Sequence, residues 1–197
     1  MIRALSLPLA ALLLAGAVVA QAAGVRTAPM LANTCAGCHG TNGVSAGEFM
    51  PSIAGLDKGY LYTVMSDYKS GLRPSTIMGR IMKGYTEQEI WAISGFYSVQ
   101  PWTPAERQPK AQPKAKLVRT GKEIHDRLCE TCHNDGGREQ DDESPRLAGQ
   151  WAGYTRYTLT QCRSQGERCR PAKMGTRVKG LSDAQIEALA SFYESEK

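Results

Sequence analysis

The sequence predicts an all-α chain of two tandem domains that are related by an internal duplication. A pentapeptide of the form Cys-x-x-Cys-His occurs twice, at residues 35–39 and 129–133. The pattern Met-Gly-x-x-x-Lys-Gly follows each copy, at residues 78–84 and 174–180. An apolar stripe at helical spacing then closes each half. Two versions of one small helical unit therefore account for most of the chain.

The first 22 residues have the composition of a secretory signal peptide. Arg3 precedes an almost wholly apolar stretch from Ala4 to Val19, and Ala20-Gln21-Ala22 has the small-x-small form of a cleavage site. The stretch is shorter than the ~20 residues that span a bilayer, which disfavours an uncleaved membrane anchor. We expect residues 1–22 to be removed, leaving a periplasmic chain without a membrane span.

The domain boundaries follow from the repeat and from the segment between its copies. Prolines alternate with lysines over residues 101–116, a composition typical of a semi-rigid extended linker. The predicted domains are residues 23–100 and 117–197. Removal of the signal peptide would leave about 175 residues, a length that suits two small domains.

Each pentapeptide predicts a site of covalent haem c attachment. Two thiols three residues apart lie on one turn and can each bond a haem vinyl group, and the adjacent imidazole then lies under the iron. Two covalently bound haem c groups are therefore expected. The predicted attachment cysteines and proximal histidines are Cys35, Cys38 and His39 in the first domain, and Cys129, Cys132 and His133 in the second.

Zinc is the weaker interpretation of the same residues. A structural zinc site needs four ligands, whereas each pentapeptide supplies three, and His125 could complete only the second. Zinc would also leave the duplicated Met-Gly-x-x-x-Lys-Gly pattern unexplained.

The repeat also selects a sixth iron ligand for each haem. Four methionines follow the pentapeptide in the first half, whereas Met174 alone does so in the second. Aligning the two Met-Gly-x-x-x-Lys-Gly copies pairs Met78 with Met174 and places Met82 opposite Val178. We therefore predict Met78 and Met174 as the axial ligands, and expect the other methionines to fill the core.

Prolines in the loop after each pentapeptide are candidates for a contact to the proximal imidazole. A proline carbonyl in this loop could accept a hydrogen bond from that ring, which would fix its tautomer. Pro51 and Pro145 are the two candidates. Pro51 is favoured because Pro145 follows an acidic insert at residues 139–143.

Ser/Thr-x-x-Glu/Gln patterns predict three helix starts. Those at residues 86–89 and 182–185 would open the last helix of each domain. A third, Thr120-x-x-Glu123, would open a helix that runs into the second pentapeptide. On that helix, His125 is expected at the surface or at the haem edge.

Cys162 and Cys169 lie outside the repeat. In an oxidising periplasm we expect them to form a disulfide that closes a small loop. A redox-active pair or a metal site is the alternative, although no spare histidine lies nearby in the sequence.

Charge says little about partners. The formal net charge is +5, and the linker holds most of the excess. Nothing in the pattern indicates nucleic-acid binding, and the basic linker could meet an acidic partner.

The predicted ligands define the chemistry. Histidine and methionine together saturate the iron and favour its ferrous state. The haems would then pass single electrons rather than bind a substrate, and any catalysis would belong to a partner.

The overall plan resembles the soluble two-domain dihaem cytochromes c of the c-four type, which have two class I cytochrome c domains. Several stretches resemble more closely the dihaem cytochrome subunit of flavocytochrome c sulfide dehydrogenase. The most specific is Ser75-Thr76-Ile77-Met78-Gly79-Arg80-Ile81 with Lys83-Gly84-Tyr85. The others lie at residues 35–41, 51–54, 69–71 and 147–151.

The second resemblance implies a heterodimer with a FAD-containing sulfide dehydrogenase subunit. That partner would oxidise sulfide at a flavin and a redox disulfide, with sulfide:cytochrome-c oxidoreductase activity. His39 and Met78 would bind the haem nearest the flavoprotein, and the haem held by His133 and Met174 would serve a downstream electron acceptor. The alternative is a free-standing dihaem carrier that delivers electrons to a terminal oxidase.

Overall fold

Two helical units make up the computed structural model, which describes residues 26–106 and 115–197. The predicted signal peptide and residues 107–114 of the predicted linker lie outside these ranges. The described residues form helices and loops with no strand, which confirms the all-α prediction. The first unit contains α1 Ala28–Asn33, α2 Ala36–His39, α3 Lys58–Ser70, α4 Met78–Ile81 and α5 Glu87–Ser98. The second contains α6 Ala115–Leu128, α7 Asn134–Gly137, α8 Ala152–Gln165, α9 Ala172–Val178 and α10 Asp183–Ser195.

Each unit has its own hydrophobic core, built where its last helix crosses its first. Helix α5 packs on α1 and α3, and α10 packs on α6 and α8. Tyr97 on α5 and Tyr193 on α10 are among the largest fully buried side chains. Met65 and Met82 lie in the first core, with exposures of 8% and 1%.

Helices α6 and α10 touch almost backbone to backbone. A Cβ atom added at Gly121 on α6 would lie 2.1 Å from the carbonyl oxygen of Ala188 on α10. Only glycine fits at this crossing, which seats the second pentapeptide, directly after α6, against the core.

Two of the three predicted helix starts are confirmed. The Thr86 and Ser182 hydroxyls accept hydrogen bonds from the backbone N–H groups of Glu89 and Gln185, whose side chains accept from the capping residues in return. The third is wrong, because α6 already includes Ala115 and Thr120 lies inside the helix. Leu117 and Val118 pack against the second core and extend the apolar face beyond the predicted start.

The two units meet through a buried glutamine. The Ser52 N–H group of the first unit donates to Gln150 Oε1 of the second, at 3.0 Å, and Gln150 Nε2 donates to the Ser52 carbonyl, also at 3.0 Å. Beside this pair, Trp151 Nε1 donates to the Ser45 carbonyl at 3.0 Å. All four residues are at most 5% exposed.

A second set of contacts surrounds this pair. Gln140 Nε2 donates to the Gly55 carbonyl at 2.7 Å, and Gln140 Oε1 accepts from the Asp57 N–H at 3.0 Å. On the other side, the Tyr154 N–H donates to the Glu48 carbonyl at 2.9 Å. The loop that follows each proximal histidine therefore contributes to the junction between the units.

The first residues of the predicted linker also lie in this junction. Trp102 packs against the first core, and the Ala105 N–H donates to the Gly149 carbonyl of the second unit at 2.7 Å. At the other end of the predicted linker, Ala115 and Lys116 belong to α6.

Within residues 26–106 and 115–197, no helix combines the length and the apolar character needed to cross a membrane.

Substitution of Gln150 by alanine should weaken the junction. It would leave the buried N–H and C=O groups of Ser52 without partners, at a cost of about 3 kcal/mol in the free energy of unfolding. Urea unfolding of the holoprotein measures this loss. Gln161→Ala, at an exposed position on α8, is the matched control and should change stability by less than about 0.5 kcal/mol. Equal unfolding midpoints for the two variants would contradict the role given to Gln150.

Candidate haem sites

The first pentapeptide spans the junction of α1 and α2. Cys35 is half-buried and Cys38 is exposed, and both carry free thiols. His39 is only 7% exposed. Its Nδ1 atom lies 2.9 Å from the Pro51 carbonyl oxygen, so Nδ1–H donates to that carbonyl and Nε2 is left for a ligand. Burial lowers the pKa of His39, while the Pro51 carbonyl acts in the opposite direction.

A glycine turn brings Pro51 under the histidine. The N–H groups of Ile53 and Ala54 both donate to the Gly43 carbonyl. Gly43 has a φ of 84°, a left-handed value that glycine adopts without steric cost. The second unit repeats this turn, with Leu147 and Ala148 donating to the Gly137 carbonyl.

The second pentapeptide directly follows α6. Its histidine is held by fewer hydrogen bonds than His39. Cys129 is half-buried, Cys132 is exposed, and both thiols are free. His133 is 6% exposed, yet among the described residues its buried Nδ1 atom has no hydrogen-bond partner of good geometry. Burial lowers the pKa of His133, and the Pro145 carbonyl opposes this shift without reaching the geometry that Pro51 has with His39.

The two predicted axial methionines both lie on short helices. Met78 is the first residue of α4 and Met174 lies on α9. Both are half-buried and pack against the core of their own unit. Beside Met78, the side chains of Ile77 and Ile81 are 43% and 38% exposed.

These residues suit a covalently attached haem. Each unit offers two free thiols next to a buried imidazole. In the first unit Pro51 leaves Nε2 of that imidazole available, and exposed apolar side chains beside Met78 offer the surface that a macrocycle can cover. In the second unit His133 is likewise buried beside free thiols, and its Nδ1 atom has no hydrogen-bond partner among the described residues.

Comparison with known proteins agrees with this geometry. The family model described as "Cytochrome c" matches residues 26–96, and the model described as "Cytochrome C oxidase, cbb3-type, subunit III" matches residues 116–192. A cytochrome c4 from Thiocapsa roseopersicina is 30% identical over 165 residues, which cover 81% of this chain and 85% of that relative. This chain belongs to the dihaem class I cytochromes c.

Other relatives of this cytochrome are named for sulfur metabolism. The cytochrome subunit of sulfide dehydrogenase from Chlorobaculum tepidum is 47% identical over 68 residues, and the match spans 34% of this chain and 61% of that protein. A thiosulfate dehydrogenase electron acceptor from Stutzerimonas stutzeri is 30% identical over 170 residues, covering 82% of this chain and 78% of that protein.

A solved structure supports the arrangement of the whole cytochrome. The reduced recombinant cytochrome c4 from Pseudomonas stutzeri superposes with a TM-score of 0.75 at 25% identity. The match covers 86% of this chain and 98% of that one. Two cytochrome c domains carry two covalently bound haem c groups, as the paired cysteines predict.

In this cytochrome, a disulfide joins Cys162 and Cys169 behind α9. A Cβ atom added at Gly175, the residue after Met174, would lie 1.9 Å from the Gly166 carbonyl oxygen and 3.3 Å from Cys169 Cβ. The disulfide loop therefore packs directly against the helix that carries Met174.

The surface position expected as one alternative for His125 is wrong, because His125 is fully buried. It lies four residues before its pentapeptide, as Leu31 does in the first domain, and Leu31 is also buried, at 2% exposure. The internal repeat could have predicted the burial of His125, because the residue at the corresponding position of the first domain, Leu31, faces the core.

Removal of the disulfide should destabilise the second domain. The Cys162→Ser/Cys169→Ser variant should lose about 2 kcal/mol in the free energy of unfolding, because the unfolded chain gains the freedom that the closed loop denied it. Thermal unfolding followed through the absorption of both haems measures the effect. Gln161→Ala, an exposed substitution next to Cys162 on α8, is the control, and an unchanged unfolding temperature in the double variant would contradict the supporting role of the loop.

Proposed function

We propose that this dihaem cytochrome is the periplasmic electron acceptor of a sulfide-oxidising flavoprotein. The main support is the 47% identity to a cytochrome subunit of sulfide dehydrogenase. That match covers about a third of this chain, so it supports one shared domain more strongly than a shared assembly. The periplasmic location rests on the signal-peptide pattern of residues 1–22.

The proposed haem-binding residues are those of the two repeats. Cys35 and Cys38, and Cys129 and Cys132, would form the thioether bonds, and His39 and His133 would be the proximal ligands. Met78 and Met174 would complete the coordination. When bound, each haem supplies one-electron oxidation and reduction. The proposed site residues are Cys35, Cys38, His39, Met78, Cys129, Cys132, His133 and Met174.

The protein contributes ligand orientation and shielding from water. The Pro51 carbonyl accepts a hydrogen bond from Nδ1–H of His39, which fixes the ring and raises its basicity as a ligand. Ser52, the next residue, is held by Gln150 of the other domain. The ring of His39 therefore depends on a loop that both domains support, whereas Pro145 gives His133 a weaker hold.

A second function has support of its own. The match to a thiosulfate dehydrogenase electron acceptor covers 82% of this chain, and the match to cytochrome c4 covers 81%. Full-length similarity of this kind favours a carrier that meets its donor transiently and passes electrons on to a terminal oxidase. This carrier is the alternative to the obligate subunit.

Substitution of the proposed axial methionines should move the reduction potentials one haem at a time. Met78→His or Met174→His should lower the potential of one haem and leave the other near its original value, because imidazole stabilises ferric iron more than thioether does. Spectroelectrochemical titration measures both potentials. Met82→Leu is the control, a change of similar volume at a buried core position. A larger shift in Met82→Leu than in Met78→His would contradict the assignment.

The choice between the two functions depends on the electron donor. The oxidised holoprotein is mixed with a purified sulfide dehydrogenase flavoprotein and sulfide, or with a thiosulfate dehydrogenase and thiosulfate, and haem reduction is followed by stopped-flow absorption. We expect fast reduction with the flavoprotein and co-elution of the two proteins in size-exclusion chromatography. Reduction only with thiosulfate dehydrogenase, without co-elution, would overturn the subunit proposal in favour of the carrier.

A further inference from the structure

The second pentapeptide differs from the first at a position between its cysteines. Glu130 follows Cys129, whereas Ala36 follows Cys35. The preceding helix differs too, since the buried residue four positions before the first cysteine is His125 in the second domain and Leu31 in the first. Both differences replace apolar side chains with groups that can carry charge.

His125 and Glu130 contact each other directly. The Nε2 atom of His125 shares a hydrogen bond with a carboxylate oxygen of Glu130. The Nδ1 atom of the same ring lies 2.9 Å from the Tyr193 hydroxyl oxygen, and the two atoms share a hydrogen bond. The imidazole, at 0% exposure, is thus held from both sides, by α10 and by the pentapeptide.

Glu130 is also bound to the backbone that follows the proximal histidine. Its second carboxylate oxygen accepts a hydrogen bond from the Asp135 N–H at 3.1 Å. The hydrogen bond from His125 and those from the backbone hold the pKa of Glu130 below its usual range. The Glu130 side chain is 44% exposed, so its position is set by these hydrogen bonds and not by burial.

The first domain has no counterpart to this arrangement. Tyr97, which corresponds to Tyr193, donates its hydroxyl proton to the Ala32 carbonyl at 2.8 Å. A leucine at position 31 and an alanine at position 36 offer no polar partner. The first domain therefore forms the same fold without the pair.

We propose that His125 and Glu130 are positioning residues that fix a carboxylate charge beside the second haem and thereby lower its reduction potential relative to the first. Glu130 is the neighbour of Cys129, through which that haem is attached, so the charge is held close to the macrocycle. A nearby negative charge favours the ferric state, whose net charge is more positive by one. His125 prevents the carboxylate from turning into solvent, a role that leucine cannot fill.

The direct test is Glu130→Gln, which keeps the side-chain shape and removes the charge. Spectroelectrochemical titration of the holoprotein should show one haem shifted to higher potential and the other unchanged. Glu123→Gln is the matched control, since it removes the same charge from an exposed position on α6. The shifted haem is assigned to its domain through NMR contacts between haem methyl protons and nearby side chains. Equal shifts in the two variants, or no shift in Glu130→Gln, would overturn the proposal.

Two further variants distinguish an effect of the Glu130 charge on the potential from an effect of a changed structure. Glu130→Asp keeps the carboxylate and should leave the potential closer to the original value than Glu130→Gln does. The double variant His125→Leu/Glu130→Ala gives the second domain the residues of the first and should reproduce the upward shift without loss of the fold. A loss of stability in all variants with no change in potential would overturn the proposal and show that the pair has only a structural role. The test is independent of the electron donor and therefore of the function proposed above.

Discussion

The hydrogen-bonded pair of Gln150 and Ser52 is the contact on which the arrangement of the two domains depends. Ser52 follows Pro51, whose carbonyl orients His39, and both backbone polar groups of Ser52 are satisfied by one side chain of the other domain. A buried backbone group without a partner is costly. The loop behind His39 is therefore complete only when the second domain is in place, which couples the first haem site to the junction.

The internal duplication keeps the same backbone fold in each domain and changes the side chains near each haem site. Both domains close the loop after the proximal histidine on a glycine carbonyl, at Gly43 and at Gly137, and both bury a tyrosine under the first cysteine of the motif. The second domain adds a disulfide behind its methionine segment and a His–Glu pair beside its attachment site. One fold thus offers two haems different hydrogen bonds and charges, which is the means by which two similar sites can differ in potential.

The sequence predicts those parts of this structure that depend on local spacing. The pentapeptides, the helix starts at Thr86 and Ser182, and the repeat could all be found from residues close together in the chain. The start of α6 lies before its capping pattern, because packing of Leu117 and Val118 on the core extends the helix. The role of Gln150 could not be found, because its partner Ser52 is 98 residues away and no periodicity links them. The burial of His125 follows from its place in the repeat, which corresponds to that of the buried Leu31, and not from its residue type.

The buried polar junction should hold the two haem domains together as one rigid body in solution. Backbone ¹⁵N relaxation of the reduced holoprotein tests it directly, since it yields a rotational correlation time for each domain separately. A single correlation time, appropriate to the whole chain, is expected for the helices of both domains. Two shorter and unequal correlation times, as for domains that move independently on a linker, would contradict it.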